Sequence, residues 1–115
     1  VCAVMDARRM QFYNAIFSVK DGVVSRICDD RAISIDDLRK ELSSYDKVIV
    51  AGDGARLCMS GLKLDNCFLA DDDKIYQNAV SVSKAAHNVK PISPKSLMPV
   101  YLRLSQAERE LKLKK

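Results

Sequence analysis

The first seventeen residues constrain the fold most. Val1 to Met5 is a continuous apolar run, the pattern of a strand buried on both faces of a sheet. Met10 to Phe17 is a second run, in which Phe12, Tyr13, Ile16 and Phe17 are aromatic or β-branched strand formers. Between the two lies Asp6-Ala-Arg-Arg9, which carries one carboxylate and two guanidinium groups. The economical arrangement is a β-hairpin whose turn sets Asp6 at the carboxyl end of the first strand. Ligands gather at that end in open α/β sheets. The sequence thus opens within its own core and reads as a piece of a longer protein.

The remaining elements follow in order. Lys20-Asp-Gly22 supplies a turn, and Val23 to Ile27 a third strand, which completes an antiparallel meander. Ser34-Ile-Asp-Asp37 has capping-box spacing, with Asp37 in place of the usual Glu or Gln. Ile35, Leu38, Leu42 and Tyr45 then recur every three or four residues, giving one apolar helix face. Lys47 to Ala51 is a fourth strand closed by Gly52-Asp-Gly-Ala55, and Arg56 to Ser60 a helical turn that stops at Gly61. Asn66 to Ala70 is a fifth strand. Asp71-Asp-Asp73 places three carboxylates at the positive end of a long helix, along which Ile75, Ala79, Val82, Ala86 and Val89 keep helical spacing. Pro91, Pro94 and Pro99 interrupt regular structure. Val100 to Arg103 is short and extended, and Ser105-Gln-Ala-Glu108 opens a final helix.

This order fixes the class as α/β. Strands four and five are each reached through a helical crossover, so they run parallel to the first strand with right-handed connections. The result is a five-stranded mixed sheet in the order 3-2-1-4-5 with flanking helices, the ribonuclease H-like arrangement. A chain of 115 residues supports one core. Residues 1–104 form that domain, and residues 105–115 a C-terminal helix and basic tail.

Composition bounds the setting. The net charge of +4 owes much to Lys112, Lys114 and Lys115, a basic tail that can touch nucleic acid but reads first as a solvated one. No apolar run approaches the ~18 residues that span a bilayer, and no signal-peptide pattern is present. Cys2, Cys28, Cys58 and Cys67 lack the close pairing of zinc signatures. They read as reduced thiols of a cytoplasmic protein.

Three candidate chemistries can be drawn. The fold sets Asp6, Glu41 and Asp53 where ribonuclease H-like nucleases gather carboxylates around two divalent metals. Against this, Arg8 and Arg9 compete with a metal for the Asp6 carboxylate. Gly52-Asp53-Gly54 follows a strand as a phosphate loop does, but without a third glycine or a Lys-Ser/Thr it reads as a turn that needs positive φ. A basic surface of Arg103, Arg109 and the lysine tail is a third possibility. His87 is the single histidine, set near the end of the long helix, and Tyr76 is a rim or core residue. No Gly-x-Ser-x-Gly elbow is present. The residues point to no catalytic constellation, no metal set and no cofactor.

At Asp6-Ala-Arg-Arg-Met-Gln-Phe-Tyr13, Val48-Ile-Val-Ala-Gly-Asp-Gly54 and Pro99-Val-Tyr-Leu-Arg103, the sequence resembles the C-terminal half of the TsaB (YeaZ) family of bacterial glycoprotease-like proteins. The resemblance implies an actin/Hsp70-like protein of two ribonuclease H-like halves, whose N-terminal half is absent from this chain. It implies a non-catalytic scaffold that partners a TsaD-like catalytic subunit and a TsaE-like ATPase. Such complexes place threonylcarbamoyl on adenosine 37 of tRNA. Asp6, Arg8, Arg9, Tyr101 and Arg103 become candidates for a partner interface, and the full-length protein a candidate homodimer. Gly52, Asp53 and Gly54 become a degenerate nucleotide loop, since Arg8 and Arg9 replace the glycine and hydroxyl residues that a phosphate loop needs.

Overall fold

The computed structural model describes residues 1–76 and 78–86, together with positions 93, 95 and 102. The final helix, the basic tail, His87, Tyr101 and Arg103 lie outside the described residues.

The opening hairpin forms as the sequence predicts. β1 (Cys2–Asp6) pairs antiparallel with β2 (Gln11–Lys20), with Met5 opposite Tyr13 and Asp6 opposite Phe12. The apolar run is buried on one face only: Cys2 and Val4 are enclosed, whereas Met5 is 48% exposed. β3 (Val23–Arg26) follows a two-residue turn in which Asp21 and Gly22 have φ of 51° and 76°. Two left-handed residues match the twist of a tight hairpin.

The sheet has six strands rather than five. β4 (Arg31–Ser34) pairs antiparallel with the first half of β2, and β3 with its second half. Both short strands lie along the β2 edge that β1 leaves free. Phe17 is opposite Arg26 and Asn14 opposite Arg31, so two residues of β2 face four of the outer chain. Residues 27–30 are therefore a bulge in one interrupted outer strand. The sequence reading assigned no element between Ile27 and Ser34, and β4 is only four residues long.

The main path through the sheet is β3-β2-β1-β5-β6, with β5 (Val48–Ala51) and β6 (Cys67–Leu69) parallel to β1. It reproduces the expected order once the outer strand is split. α1 (Ile35–Leu42) starts where expected, because the Ser34 hydroxyl accepts the Asp37 N–H at 3.2 Å. α2 (Ala55–Leu62) is eight residues long, so the crossover to β6 is a full helix and not a turn ending at Gly61. Lys63 at φ 50° ends it instead. A Cβ on Gly61 would lie 2.8 Å from Ile35 Cγ1, so this glycine permits the close approach of α1 and α2. Arg39 of α1 closes the pair by donating to the Gly61 and Leu62 carbonyls at 2.5 and 3.0 Å.

The long helix expected after Asp71 is broken. α3 (Asp72–Ile75) ends at Tyr76, whose backbone is extended, and α4 (Ala79–Ala86) restarts with Asn78 Oδ1 accepting the Ser81 N–H at 2.8 Å. An Asx cap thus overrides the apolar repeat, and Val80 and Val82 of α4 are exposed.

Cys2, Val4, Phe12, Ile16, Leu38, Leu42, Val50, Cys58 and Leu62 form the main core between the sheet and the two helices α1 and α2. The opposite face carries Ala3, Ala15 and Ala51 at its centre, flanked by Phe17 and Phe68. Cations cover both rings. Arg26 lies 4.8 Å from the Phe17 centroid and Lys47 5.6 Å from that of Phe68. Among the described residues, no helix is long and apolar enough to cross a membrane.

Candidate functional site

Two turns meet at the carboxyl ends of β1 and β5. The first is Asp6 to Gln11. The Asp6 carboxylate accepts the Arg8 backbone N–H at 2.8 Å, Ala7 N–H donates to Gln11 C=O at 3.0 Å, and Gln11 N–H to Arg8 C=O at 3.1 Å. Arg8, Arg9 and Met10 follow one another at φ of 68°, 55° and 55°. Left-handed conformation costs roughly 1–2 kcal/mol for each residue bearing a Cβ. This loop is therefore held by its surroundings, with the Asp6 cap and the ladder on either side overriding local preference.

The sequence reading set the two guanidinium groups against Asp6. The structure corrects this: the carboxylate is taken by a backbone N–H. Among the described residues, neither guanidinium forms an ion pair. Both arginines are exposed at the hairpin tip.

The second turn is Gly52-Asp53-Gly54. Gly52 has φ 113°, and a Cβ there would fall 2.1 Å from Val4 O. Gly54 has ordinary negative φ, yet a Cβ on it would fall 2.7 Å from Asp6 N. Positive φ accounts for one glycine, as the sequence suggested, and close approach to β1 for both. Gly54 N–H donates to Val4 C=O at 3.2 Å, and Gly52 N–H to Ile75 C=O at 2.7 Å. The turn thus ties β1 to the end of α3. Asp53 itself is exposed.

Beside this junction lies a cavity of about 470 Å³ whose walls include Met5, Ala51, Asp53, Lys74 and Tyr76. Tyr76 is a rim residue, 55% exposed. Arg56, at the start of α2, reaches Asp72 at 2.9 Å and braces α3 against the turn. Sequence reasoning passed over Lys74 and Arg56. Only the fold brings them here.

Glu41 is elsewhere. Ile35 N–H donates to Met10 C=O at 3.1 Å, so α1 starts beside the hairpin. Glu41 lies six residues further on, about 9 Å along the helix axis, and is ion-paired with Arg31. Among the described residues, no group of three or more His, Cys, Asp or Glu side chains could hold a metal ion. Asp6, Glu41 and Asp53 are thus not brought together, and the nuclease reading has no support. The four cysteines are free. Burial pushes the Cys2 thiol up to about 11 and the Cys58 thiol to about 12, which leaves both protonated and unreactive at neutral pH.

No protein-family model matches this sequence, and no curated protein matches it. Among solved structures, the chain is similar to the crystal structure of an uncharacterized protein with similarity to peptidase YeaZ from Pseudomonas aeruginosa. The two share 14% identity, with a TM-score of 0.58 over 89% of this chain and 48% of that one. The likeness is one of fold. This chain spans about half the length of the Pseudomonas protein, so what it resembles is a part of that structure.

Proposed function

We propose that this domain is a non-catalytic interaction domain of a TsaB (YeaZ)-like scaffold. In this reading it supports a TsaD-like catalytic subunit, with a TsaE-like ATPase, in placing threonylcarbamoyl on adenosine 37 of tRNA. One observation carries the reading. The Asp6-Ala-Arg8 turn and the Gly52-Asp-Gly54 turn, which carry the resemblance in sequence, pack against each other so closely that Gly54 has no room for a Cβ beside Asp6 N. They are one device, on a fold similar to that of the Pseudomonas protein. The device displays Arg8 and Arg9 outward on a turn that costs energy to hold. Planar five-donor groups presented in this way suit carboxylates on a partner surface.

The reading is tested by depleting the protein in its own host and quantifying threonylcarbamoyladenosine in total tRNA by mass spectrometry. Loss of the nucleoside, restored by the wild-type gene and poorly by Arg8→Glu/Arg9→Glu, is the expected result. An unchanged level of the nucleoside on depletion would remove this function.

A further inference from the structure

β3 is an open edge of the sheet. The tight turn at Asp21-Gly22 joins it to β2, with Lys20 opposite Val23 and Phe17 opposite Arg26. Every residue of β3 is exposed, and Val23 and Val24 are each 63% so. Val19 and Ile27 beside them are exposed as well. Four large apolar side chains thus crowd one short hairpin that nothing among the described residues covers. Native sheets usually guard such an edge with lysine, with proline or with a covering segment.

The register shows which backbone groups this edge leaves over. Ile27 N–H donates to Ile16 C=O at 2.8 Å. Backbone direction alternates along an antiparallel strand. Ile27, Ser25 and Val23 therefore turn their N–H and C=O inwards, to Ile16, Ser18 and Lys20. Val24 and Arg26 turn theirs outwards. Two donors and two acceptors stand in line on the open side, one pair on each side of Ser25. The ladder of this hairpin runs from Val23 to Ile27, so Ser25 is also its midpoint.

We propose that this edge pairs with the same edge of a second copy, antiparallel about a two-fold axis at Ser25. Symmetry and charge select this occupant. In that register Val24 of one copy is opposite Arg26 of the other, and all four outward N–H groups, two from each copy, meet carbonyls. Val23 stands opposite Ile27 of the second copy, twice by symmetry, which takes four exposed apolar side chains out of water. The two Arg26 side chains do not oppose each other. Each lies over its own Phe17 ring and is paired with Asp30 at 2.8 Å, so no unbalanced charge comes to the axis. Moving the axis to Arg26 would set the guanidinium groups face to face, and like charges directly opposite oppose pairing. Moving it to Val24 would set Arg26 against the Gly22 turn. The contact is small, below the roughly 1,200 Å² of a standard interface, so the dimer is a weak one that forms at high protein concentration.

Sedimentation velocity and amide exchange on the 115-residue chain test this. Between roughly 10 μM and 1 mM, the range of a weak interface, the sedimentation coefficient is expected to rise towards that of a dimer. Over the same range, exchange at the Val24 and Arg26 amides should slow about twofold or more. Ser25 and Ile27, bonded within the hairpin, should not change. Val24→Pro removes an outward N–H and none of the hairpin's own bonds, a substitution that edge strands tolerate. Ser25→Lys sets two ammonium groups opposite each other at the axis. Both variants should melt like the parent when dilute and stay monomeric when concentrated. In a Cys28→Ser background, Ser25→Cys should oxidise to a covalent dimer at least tenfold faster than Val23→Cys, because only position 25 meets itself across the axis. A chain that stays monomeric at the highest concentration, a dimer that survives Ser25→Lys, or equal crosslinking of the two cysteine variants would overturn the proposal. So would Val24 and Arg26 amides that are protected alike at every dilution, since the same chain would then cover the edge.

Discussion

Asn14 Oδ1 accepts a hydrogen bond from Arg31 Nε at 3.0 Å, deep in the middle of the longest strand, where Asn14 is only 4% exposed. The two residues are directly opposite across β2 and β4. Asn14 Nδ2 in turn donates to Ala3 C=O at 2.9 Å and to the Cys2 sulfur at 3.2 Å. Arg31 continues the chain to Glu41 on α1. A polar thread thus joins β1, β2, β4 and α1 through an otherwise apolar layer.

Removing a buried member of such a thread strands its partners. Asn14→Ala is expected to cost roughly 1–3 kcal/mol, because Arg31 and the Ala3 carbonyl lose their pairing inside the protein. Glu41→Gln should cost about 1 kcal/mol or less, since its ion pair is a third exposed and water replaces part of it. Urea denaturation of both variants measures the order. A larger loss from Glu41→Gln would show that the ion pair, not the amide, holds the layers.

Glycines on one chain are expected to respond very differently to alanine. Gly22 has φ 76° with open space around it, so Gly22→Ala should cost about 1 kcal/mol from backbone strain alone. Gly52 combines φ 113° with a Cβ position 2.1 Å from Val4 O, so Gly52→Ala should displace β5 or leave the protein unfolded. Thermal melts distinguish the two. Similar melting temperatures would mean that the loop after β5 yields more easily than its packing suggests.

The hairpin tip is held at a cost in stability. Arg9 sits at φ 55° with no ion-pair partner among the described residues. Arg9→Gly should raise stability by about 1 kcal/mol, because glycine adopts this conformation without a Cβ penalty. In the proposed scaffold the same change should weaken binding of the TsaD-like subunit. Calorimetric melts and a binding titration together decide it. A variant that is both more stable and fully competent in binding would leave the strain without a purpose.

Stability should fall at alkaline pH, for a reason internal to the core. Burial raises Cys2 to about 11 and Cys58 to about 12 from the ordinary thiol value of 9.0. Unfolded thiols lose their protons near pH 9.0, while the folded ones keep theirs. The stability they contribute is complete below pH 9 and is lost progressively as pH rises through 11 to 12. Urea midpoints measured from pH 8 to 11 should decline, and Cys2→Ala/Cys58→Ala should flatten the decline despite lower stability throughout. A decline of the same slope in the double variant would assign it to other groups.

Much of this fold is legible where one residue decides its own neighbourhood. Ser34 starts α1 because its hydroxyl accepts the N–H of Asp37, three residues further on, and Asp21-Gly22 closes its hairpin by φ alone. Elements that depend on distant partners were not legible. β4 exists because the outer edge of β2 is free, which Arg31-Ala-Ile-Ser34 cannot announce by itself. The break at Tyr76 needed Asn78 to cap the next helix against a strong apolar repeat. At the candidate site, Asp6 and the two glycines were found from their types. The role of Gly54 was not, since an ordinary φ conceals a contact with Asp6 that only the folded chain creates. Asn14 was not singled out within the run from Met10 to Phe17, and its partner Arg31 lies 17 residues away.

The bulge in the outer strand bears on how the length of this protein can drift. Two residues of β2 face four between Arg26 and Arg31, a mismatch of two. Side chains alternate with a period of two along a strand. Gaining or losing a pair of residues in this stretch therefore leaves Arg31 and Ile33 turned towards the core, with the thread to Asn14 intact. A single insertion keeps them there only if the unpaired bulge takes it up; carried into β4 it would turn both to the opposite face. Length can therefore change here without breaking the thread, provided the bulge and not the paired strand holds the extra residues.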